Sequence, residues 1–197
     1  MSRISSSARR SIKAGLAVAL SAAVSMGLSA TVAPQASATT VTKAHSVPGP
    51  KAVEKAKLYE LVTPHGIFYT ANEAEKDNAI AKYGFKPTQT PLYYLATKRF
   101  RGGKPLYRLK LKDKPSYLVT ASSTERDKLV ASGKFSYEGI IGFAPAKPIT
   151  GNEVQVFRLS NNGRWRLAIA EHKDSILANE PGWRLDGPIL YQFTSAD

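Results

Sequence analysis

The sequence contains no cysteine among its 197 residues and only three histidines. Without cysteine no disulfide can form, so a domain of this size must be stabilised by its apolar core. His45, His65 and His172 have neither a second histidine nor a carboxylate at metal-ligand spacing, so we expect no metal and no cofactor. The sequence also lacks a P-loop, a dinucleotide-binding fingerprint and a nucleophile elbow, so no catalytic residue is assigned.

Acidic residues are also scarce: 15 Asp and Glu stand against 28 Lys and Arg, which gives a net charge of +13. Residues 1–38 contain four of the cations and no acid, which leaves +9 on the remainder. Such an excess attracts polyanions. We therefore expect an anionic cell-wall polymer or polysaccharide as partner and no nucleic acid, although solubility alone would also explain the charge.

Residues 1–38 have the three parts of a secretory signal peptide. A basic start precedes the apolar segment 16–32, and the small residues 36–38 form a cleavage site after Ala38. Serines and a glycine within the apolar segment make it a poor permanent span, so no transmembrane segment is expected after cleavage. We predict secretion by the Sec route, with twin-arginine export as the alternative suggested by Arg9-Arg10.

After a linker at 39–57, one pattern occurs three times. Alternating segments begin at Tyr59, Tyr107 and Phe157, with offsets of 48 and 50 residues, and each is followed by a second strand-like segment, a helical segment and an apolar run. The sequence predicts a domain over 58–197 with units at about 58–105, 106–155 and 156–197. The predicted fold class is α+β, with three β-β-α-β repeats in a pseudo-threefold, trefoil-like or barrel-like arrangement.

The helical segments carry start and stop signals in the first two units. Asn72 and Ser122 are expected to cap the helix N-termini, and Gly84 and Gly133 to end the helices in the left-handed conformation. The third unit lacks the capping residue, so we expect a shorter helix there.

Carboxylates recur at fixed positions of the first two helices, at Glu75 with Asp77 and at Glu125 with Asp127. Paired carboxylates could act as general acids in glycoside hydrolysis. Their regular recurrence instead favours a structural role, either in capping or in pairing with Arg108 or Arg158 of a neighbouring strand.

A basic segment provides the candidate ligand-binding residues. Alternation along a strand would place its cations on one face, and a basic loop lies just before them. The candidates are Arg99, Arg101, Arg108, Lys110, Lys112 and Lys114, together with Trp165 as the best exposed aromatic. The alternative is that lysines on an exposed strand prevent pairing with other chains.

The motifs of the second unit carry a family resemblance. These motifs are Tyr107-Arg108, Thr120, Glu125-Arg126-Asp127, Gly133 and Tyr137-Glu138-Gly139-Ile140. The chain resembles, over about 58–193, a bacterial secreted repeat family of unknown function with the hallmark YR-hFYT-ERD-G-YEGI. Such repeats are often appended to wall-acting or peptidase modules, which implies an accessory binding role.

These observations favour a secreted, monomeric, non-catalytic binding module for cell-wall or extracellular polyanionic glycan. Two alternatives remain: a small secreted hydrolase or hydrolase inhibitor, and an extracellular protein–protein interaction protein. A pocket converging on two carboxylates would favour the enzyme, and a flat apolar patch would favour the protein partner.

Overall fold

A computed structural model describes residues 52–89 and 92–197. The predicted signal peptide (1–38) and most of the predicted linker lie outside the described residues. No helix in the described part of the chain is long and apolar enough to cross a membrane.

Eleven strands and three helices make up the described residues. The first hairpin and its helix comprise β1 (Lys55–Lys57), β2 (Tyr59–Thr63), β3 (Gly66–Thr70), α1 (Glu73–Tyr83), β4 (Lys86–Pro87) and β5 (Tyr94–Ala96). The next segment comprises β6 (Gly103–Leu111), β7 (Tyr117–Thr120), α2 (Ser123–Ala131) and β8 (Phe135–Pro145). The last comprises β9 (Glu153–Asn161), β10 (Arg164–Ala168), α3 (Ala170–Asn179) and β11 (Arg184–Phe193).

The strands form two antiparallel sheets of unequal size. The eight-stranded sheet has the order β10-β9-β11-β5-β8-β6-β7, with β1 paired to β5, and the three-stranded sheet has the order β3-β2-β4. Strand residues outnumber helical residues more than two to one. The predicted fold class, an α+β trefoil-like or barrel-like set of three repeats, is therefore wrong.

The physical reason for this correction is how the last strands of the segments pair. The short strand β5 pairs with β1, β8 and β11, so it joins the later segments in one sheet. Strand β4 pairs with β2 instead, which leaves the first hairpin in a separate sheet. Sequence alternation identifies strands, but it does not specify which strands pair over long separations.

The helix signals operate largely as predicted. Asn72 and Ser122 accept hydrogen bonds from the amides of Glu75 and Glu125, at 3.0 and 3.2 Å, so both predicted N-caps are confirmed. Gly84 ends α1 in the left-handed conformation. Helix α3 lacks a side-chain cap, as predicted. Its ten residues are one fewer than in α1 but one more than in α2, so the expected shortening holds only against α1.

The three hairpins pack against one another through their second strands, since β3, β7 and β10 make mutual contacts. Buried apolar side chains from these strands, among them Ile67, Val119 and Leu167, share the largest core cluster. At Gly66 the backbone of residues 115 and 116 approaches so closely that an added Cβ would lie 2.6 Å from Ser116 Cα. The turns of the first two hairpins, one from each sheet, therefore lie together, and the region around them is called here the hairpin end.

Candidate functional site

The predicted basic residues do not form one surface. Strand β6 spans nine residues, about 27 Å, and separates Arg99 and Arg101 in the loop before it from Lys112 and Lys114 in the turn after it. All four are exposed, whereas Lys110 is half-buried near the C-terminal end of β6. The cations thus divide between two ends of the molecule.

Arg108 is only 6% exposed, so it does not belong to an exposed basic face. Its guanidinium donates to both Glu75 carboxylate oxygens at 2.6 and 3.0 Å, to Glu138 at 2.9 Å and to the carbonyl of Tyr69 at 2.9 Å. It also lies 4.5 Å from the Phe68 ring centroid. Arg108 therefore joins α1, β3 and β8, and its expected place in a basic stripe is corrected to a structural one.

Arg158 makes the same kind of contacts fifty residues later. It donates to both Glu125 oxygens at 2.7 and 3.0 Å, to Asp186 at 2.7 Å and to the Val119 carbonyl at 3.3 Å. The pairing offered for the helical carboxylates is thus found for Glu75 and Glu125, whereas Asp77 and Asp127 contact Lys76 and Arg126 of their own helices.

These contacts fix the ionisation of the helical carboxylates. Burial alone would raise the pKa of Glu75, but hydrogen bonds from Arg108 and Thr70, with the Arg108 charge, hold that pKa below its ordinary value. Burial would likewise raise the pKa of Glu125, but hydrogen bonds from Arg158 and Thr120, with the Arg158 charge, hold it below its ordinary value. A carboxylate held ionised in this way is a poor general acid near neutral pH.

The contact between the first and third hairpins is built around a buried glutamate and a tyrosine hydroxyl instead of a buried arginine. Glu60 on β2 is 4% exposed and accepts a 2.6 Å hydrogen bond from the Tyr69 hydroxyl, which in turn accepts from the amide of Leu167 at 2.8 Å. Arg166 on β10 reaches Glu60 and Glu180, each at 3.4 Å. This buried carboxylate is likewise tied into the fold.

Trp165 is half-buried rather than exposed. Its ring lies edge-on to Phe135, with centroids 5.6 Å apart, and packs on the cluster of Leu109 and Leu118. The expected exposure of this aromatic is wrong, because the side chain covers the core between the second and third hairpins.

A groove of about 790 Å³ opens at the hairpin end, between α1 and the β6–β7 hairpin. Its floor is aromatic: the Phe68 ring lies 5.6 Å from Phe85 and 4.8 Å from Tyr117, centroid to centroid. Tyr83 on the rim is 72% exposed, and Lys110 forms part of the wall. This groove is called here the aromatic groove.

Sequence reasoning did not assign this groove. Neither Tyr83 nor Phe85 is among the predicted site residues. The sequence does contain one signal for an exposed aromatic side chain. Tyr83 directly precedes the helix-ending Gly84, a position at which a side chain is difficult to bury. The groove itself depends on the packing of α1 against a hairpin far along the chain.

The arrangement contains no assembled metal centre: among residues 52–89 and 92–197, no group of three or more His, Asp or Glu side chains is placed to hold an ion. The two carboxylates nearest the groove, Glu75 and Glu138, both bind Arg108. The groove therefore offers apolar faces and cations rather than a proton-transfer pair.

Comparison with family models gives a match over residues 55–193 to a domain of unknown function, DUF5648. Searches of curated proteins and of solved structures found no match. The matched range begins with the first residue of β1 and ends with the last residue of β11, so it covers both sheets. The chain belongs to the DUF5648 family of domains of unknown function.

Proposed function

We propose that this protein is a secreted, non-catalytic binding domain for an anionic extracellular glycan such as a cell-wall polymer, and that the aromatic groove holds the glycan. The observation that carries the proposal is the groove itself, an open cavity with an aromatic floor beside the lysines of the hairpin end.

The floor suits the apolar faces of sugar rings. Aromatic side chains offer flat apolar surfaces, and ligand sites combine such surfaces with a few polar groups. Phe68 and Phe85 are buried beneath the groove, while Tyr83 stands exposed at its edge. Tyr83 could therefore pack on a sugar ring and offer its hydroxyl to the hydroxyls of the ring.

The cations supply the preference for an anionic polymer. Lys110 lies in the groove wall, and Lys112 and Lys114 are exposed in the adjoining turn. Within the described part of the chain, none of these three lysines has a carboxylate partner within ion-pair distance, so their charge is available to a ligand. Exposed charges of this kind attract polyanions in a manner that salt screens.

Binding is favoured over hydrolysis because Glu75 and Glu138 share one arginine. A glycosidase needs one carboxyl group that can donate a proton, and the pKa of Glu75 is lowered rather than raised by its partners. The extracellular location is supported by the signal-like residues 1–38, and the cell wall by the modules to which similar repeats are appended.

The test is retention of the secreted protein by purified bacterial cell walls, with and without their anionic polymers, across about 0.05–0.5 M salt. We expect salt-sensitive retention that falls about tenfold in Tyr83→Ala and in Lys110→Gln. The matched controls are Tyr137→Ala and Lys147→Gln, which remove a tyrosine and an exposed lysine outside the groove.

Retention that ignores salt, or that is equally reduced in the control variants, would count against the groove and its charge. No retention at low salt would overturn the glycan proposal and favour a protein partner. Release of soluble sugars from the walls, abolished by Glu75→Gln, would favour a hydrolase instead.

A further inference from the structure

A second cavity, of about 480 Å³, lies on the other side of the β2–β3 hairpin from the aromatic groove. Thr63, at the end of β2, lines both cavities, so only the hairpin tip separates them. This second cavity is called here the arginine pocket, and its walls come from β2, β3, β4, β10 and the segment after α3.

Arg164 provides the unusual feature of the pocket. Its guanidinium carbon lies 5.8 Å from the centroid of the Trp183 ring, so the side chain is held against an aromatic surface. In the described part of the chain Arg164 has no ion-pair partner, and its buried Nε has no hydrogen-bond acceptor. A guanidinium supported by an aromatic side chain can still present its N–H edge to a carboxylate in a bidentate manner.

The other charges around the pocket leave this position cationic. Arg166 is engaged by Glu60 and Glu180, and Glu180 is the acidic residue in the wall. Lys86 on β4 is exposed at the rim and has no carboxylate partner within the described residues. Arg164 and Lys86 therefore form a pair of cations that is not neutralised by the protein.

The remaining walls are largely apolar, with Val62, Pro64 and Ile67 on the hairpin side and Trp183 opposite. Thr63 and Thr88 add two hydroxyl groups to them. A bare inorganic anion would leave these surfaces without contact. A six-membered sugar ring that carries a carboxylate would use both kinds of wall, with C–H groups on the apolar side chains and the acid on the cations.

We propose that the arginine pocket binds one acidic sugar residue, a uronic acid unit, whose carboxylate is paired with Arg164 and Lys86. This inference deepens the proposed function and rests on it, because it names the ligand class and a second point of contact. A glycan chain crossing the hairpin tip would occupy the aromatic groove and the arginine pocket together.

The experiment measures binding of three probes to the secreted protein by calorimetry: a galacturonic acid trimer, its methyl ester, and a glycerol phosphate oligomer. We expect the acidic trimer to bind and the uncharged ester to bind about tenfold or more weakly. Arg164→Gln should weaken trimer binding about tenfold or more. Arg164→Lys should restore only part of the loss, because lysine keeps the charge without the planar fork.

Two further variants keep the inference open to contradiction if Arg164→Gln lowers stability. Lys86→Gln alters an exposed residue of the same pocket and should weaken trimer binding about threefold to tenfold. Lys128→Gln removes an exposed lysine on α2 that lines neither cavity, and it should leave trimer binding unchanged.

The outcomes separate this inference from the proposed function. Wall retention that depends on Tyr83, with trimer binding indifferent to Arg164→Gln and Lys86→Gln, would overturn the pocket but leave the groove. Tighter binding of the glycerol phosphate oligomer than of the trimer would overturn the carboxylate assignment. Absence of binding to walls and to every probe would overturn both proposals.

Discussion

The Glu60 carboxylate lies 3.4 Å from Arg166, and in this pair the acid occupies the strand position that an arginine holds in the later hairpins. Glu60 precedes Leu61 on β2, as Arg108 precedes Leu109 on β6. Arg108 instead donates two hydrogen bonds to the Glu75 carboxylate. The charge order is thus reversed where the first hairpin meets the third.

We predict that Arg108→Met lowers the free energy of unfolding by about 3 kcal/mol, because it leaves Glu75, Glu138 and a buried carbonyl without their donor. The matched control is Lys98→Met, which breaks an ion pair whose two side chains are 82% and 63% exposed. This control should cost less than about 0.5 kcal/mol. Urea unfolding measures both, and equal effects would show that Arg108 is not a structural link.

The hydroxyl of Tyr69 gives a second prediction. Tyr69→Phe should destabilise the fold by about 2 kcal/mol, since the buried Glu60 loses a donor and the amide of Leu167 loses its acceptor. Tyr59→Phe removes a hydroxyl that binds Glu73 at the surface, and should change stability by less than about 0.5 kcal/mol. Thermal and urea unfolding of the two variants would reveal the difference, and an equal loss would contradict the buried network.

Stability should decrease as pH falls below about 4.5. Because the pKa of Glu75 and that of Glu125 are lower in the folded protein than the ordinary value of 4.5, the unfolded chain binds protons first as pH falls. The stabilisation is therefore complete above 4.5 and is lost as pH falls through the folded pKa. Glu75→Gln should flatten this dependence in urea unfolding at a series of pH values, and a slope equal to that of the unaltered protein would contradict the prediction.

Close approach at Gly66 yields a fourth prediction. Gly66→Ala should destabilise the protein by about 2–3 kcal/mol, because its Cβ would meet the backbone of residues 115 and 116, which cannot rotate away. A Cβ added at Gly103 would lie 2.6 Å from Cζ of the Phe100 ring, and this ring can rotate away. Gly103→Ala should therefore cost about 1 kcal/mol or less. The reverse order would mean that the hairpin turns do not pack as described.

Local features of the fold could be read from the sequence, because they depend on neighbouring residues. The caps at Asn72 and Ser122 follow from side chains that reach amides three residues away. The sheet pairing could not be read, since β5 has three residues and its partners are far away in the chain. The short length of β5 gives no pattern from which a partner could be chosen.

The candidate site was predicted only in part. Lys110, Lys112 and Lys114 lie near the proposed ligand. The alternation of residues along β6 also placed Arg108 with them, because it could not show that Glu75 approaches Arg108 from another segment. The pairing of Arg108 with Glu75 could be considered only because both residues recur about fifty positions later, which is a non-local signal. Arg164 gave no signal and Tyr83 only a local one, because the cavities that these side chains line are formed by hairpins far apart in the chain.

Strand β5 has one further consequence, which concerns the ends of the domain. It pairs with β1, the first described strand, and with β11, the last strand, and Lys55 donates a hydrogen bond to the carbonyl of Asp197. The first and the last strand of the described domain therefore lie next to the same short strand. A short linker could join them, and new termini could be opened in the exposed segment 147–152. Such a circular permutant should keep both sheets, and the same geometry would allow the domain to be inserted into a surface loop of a host protein.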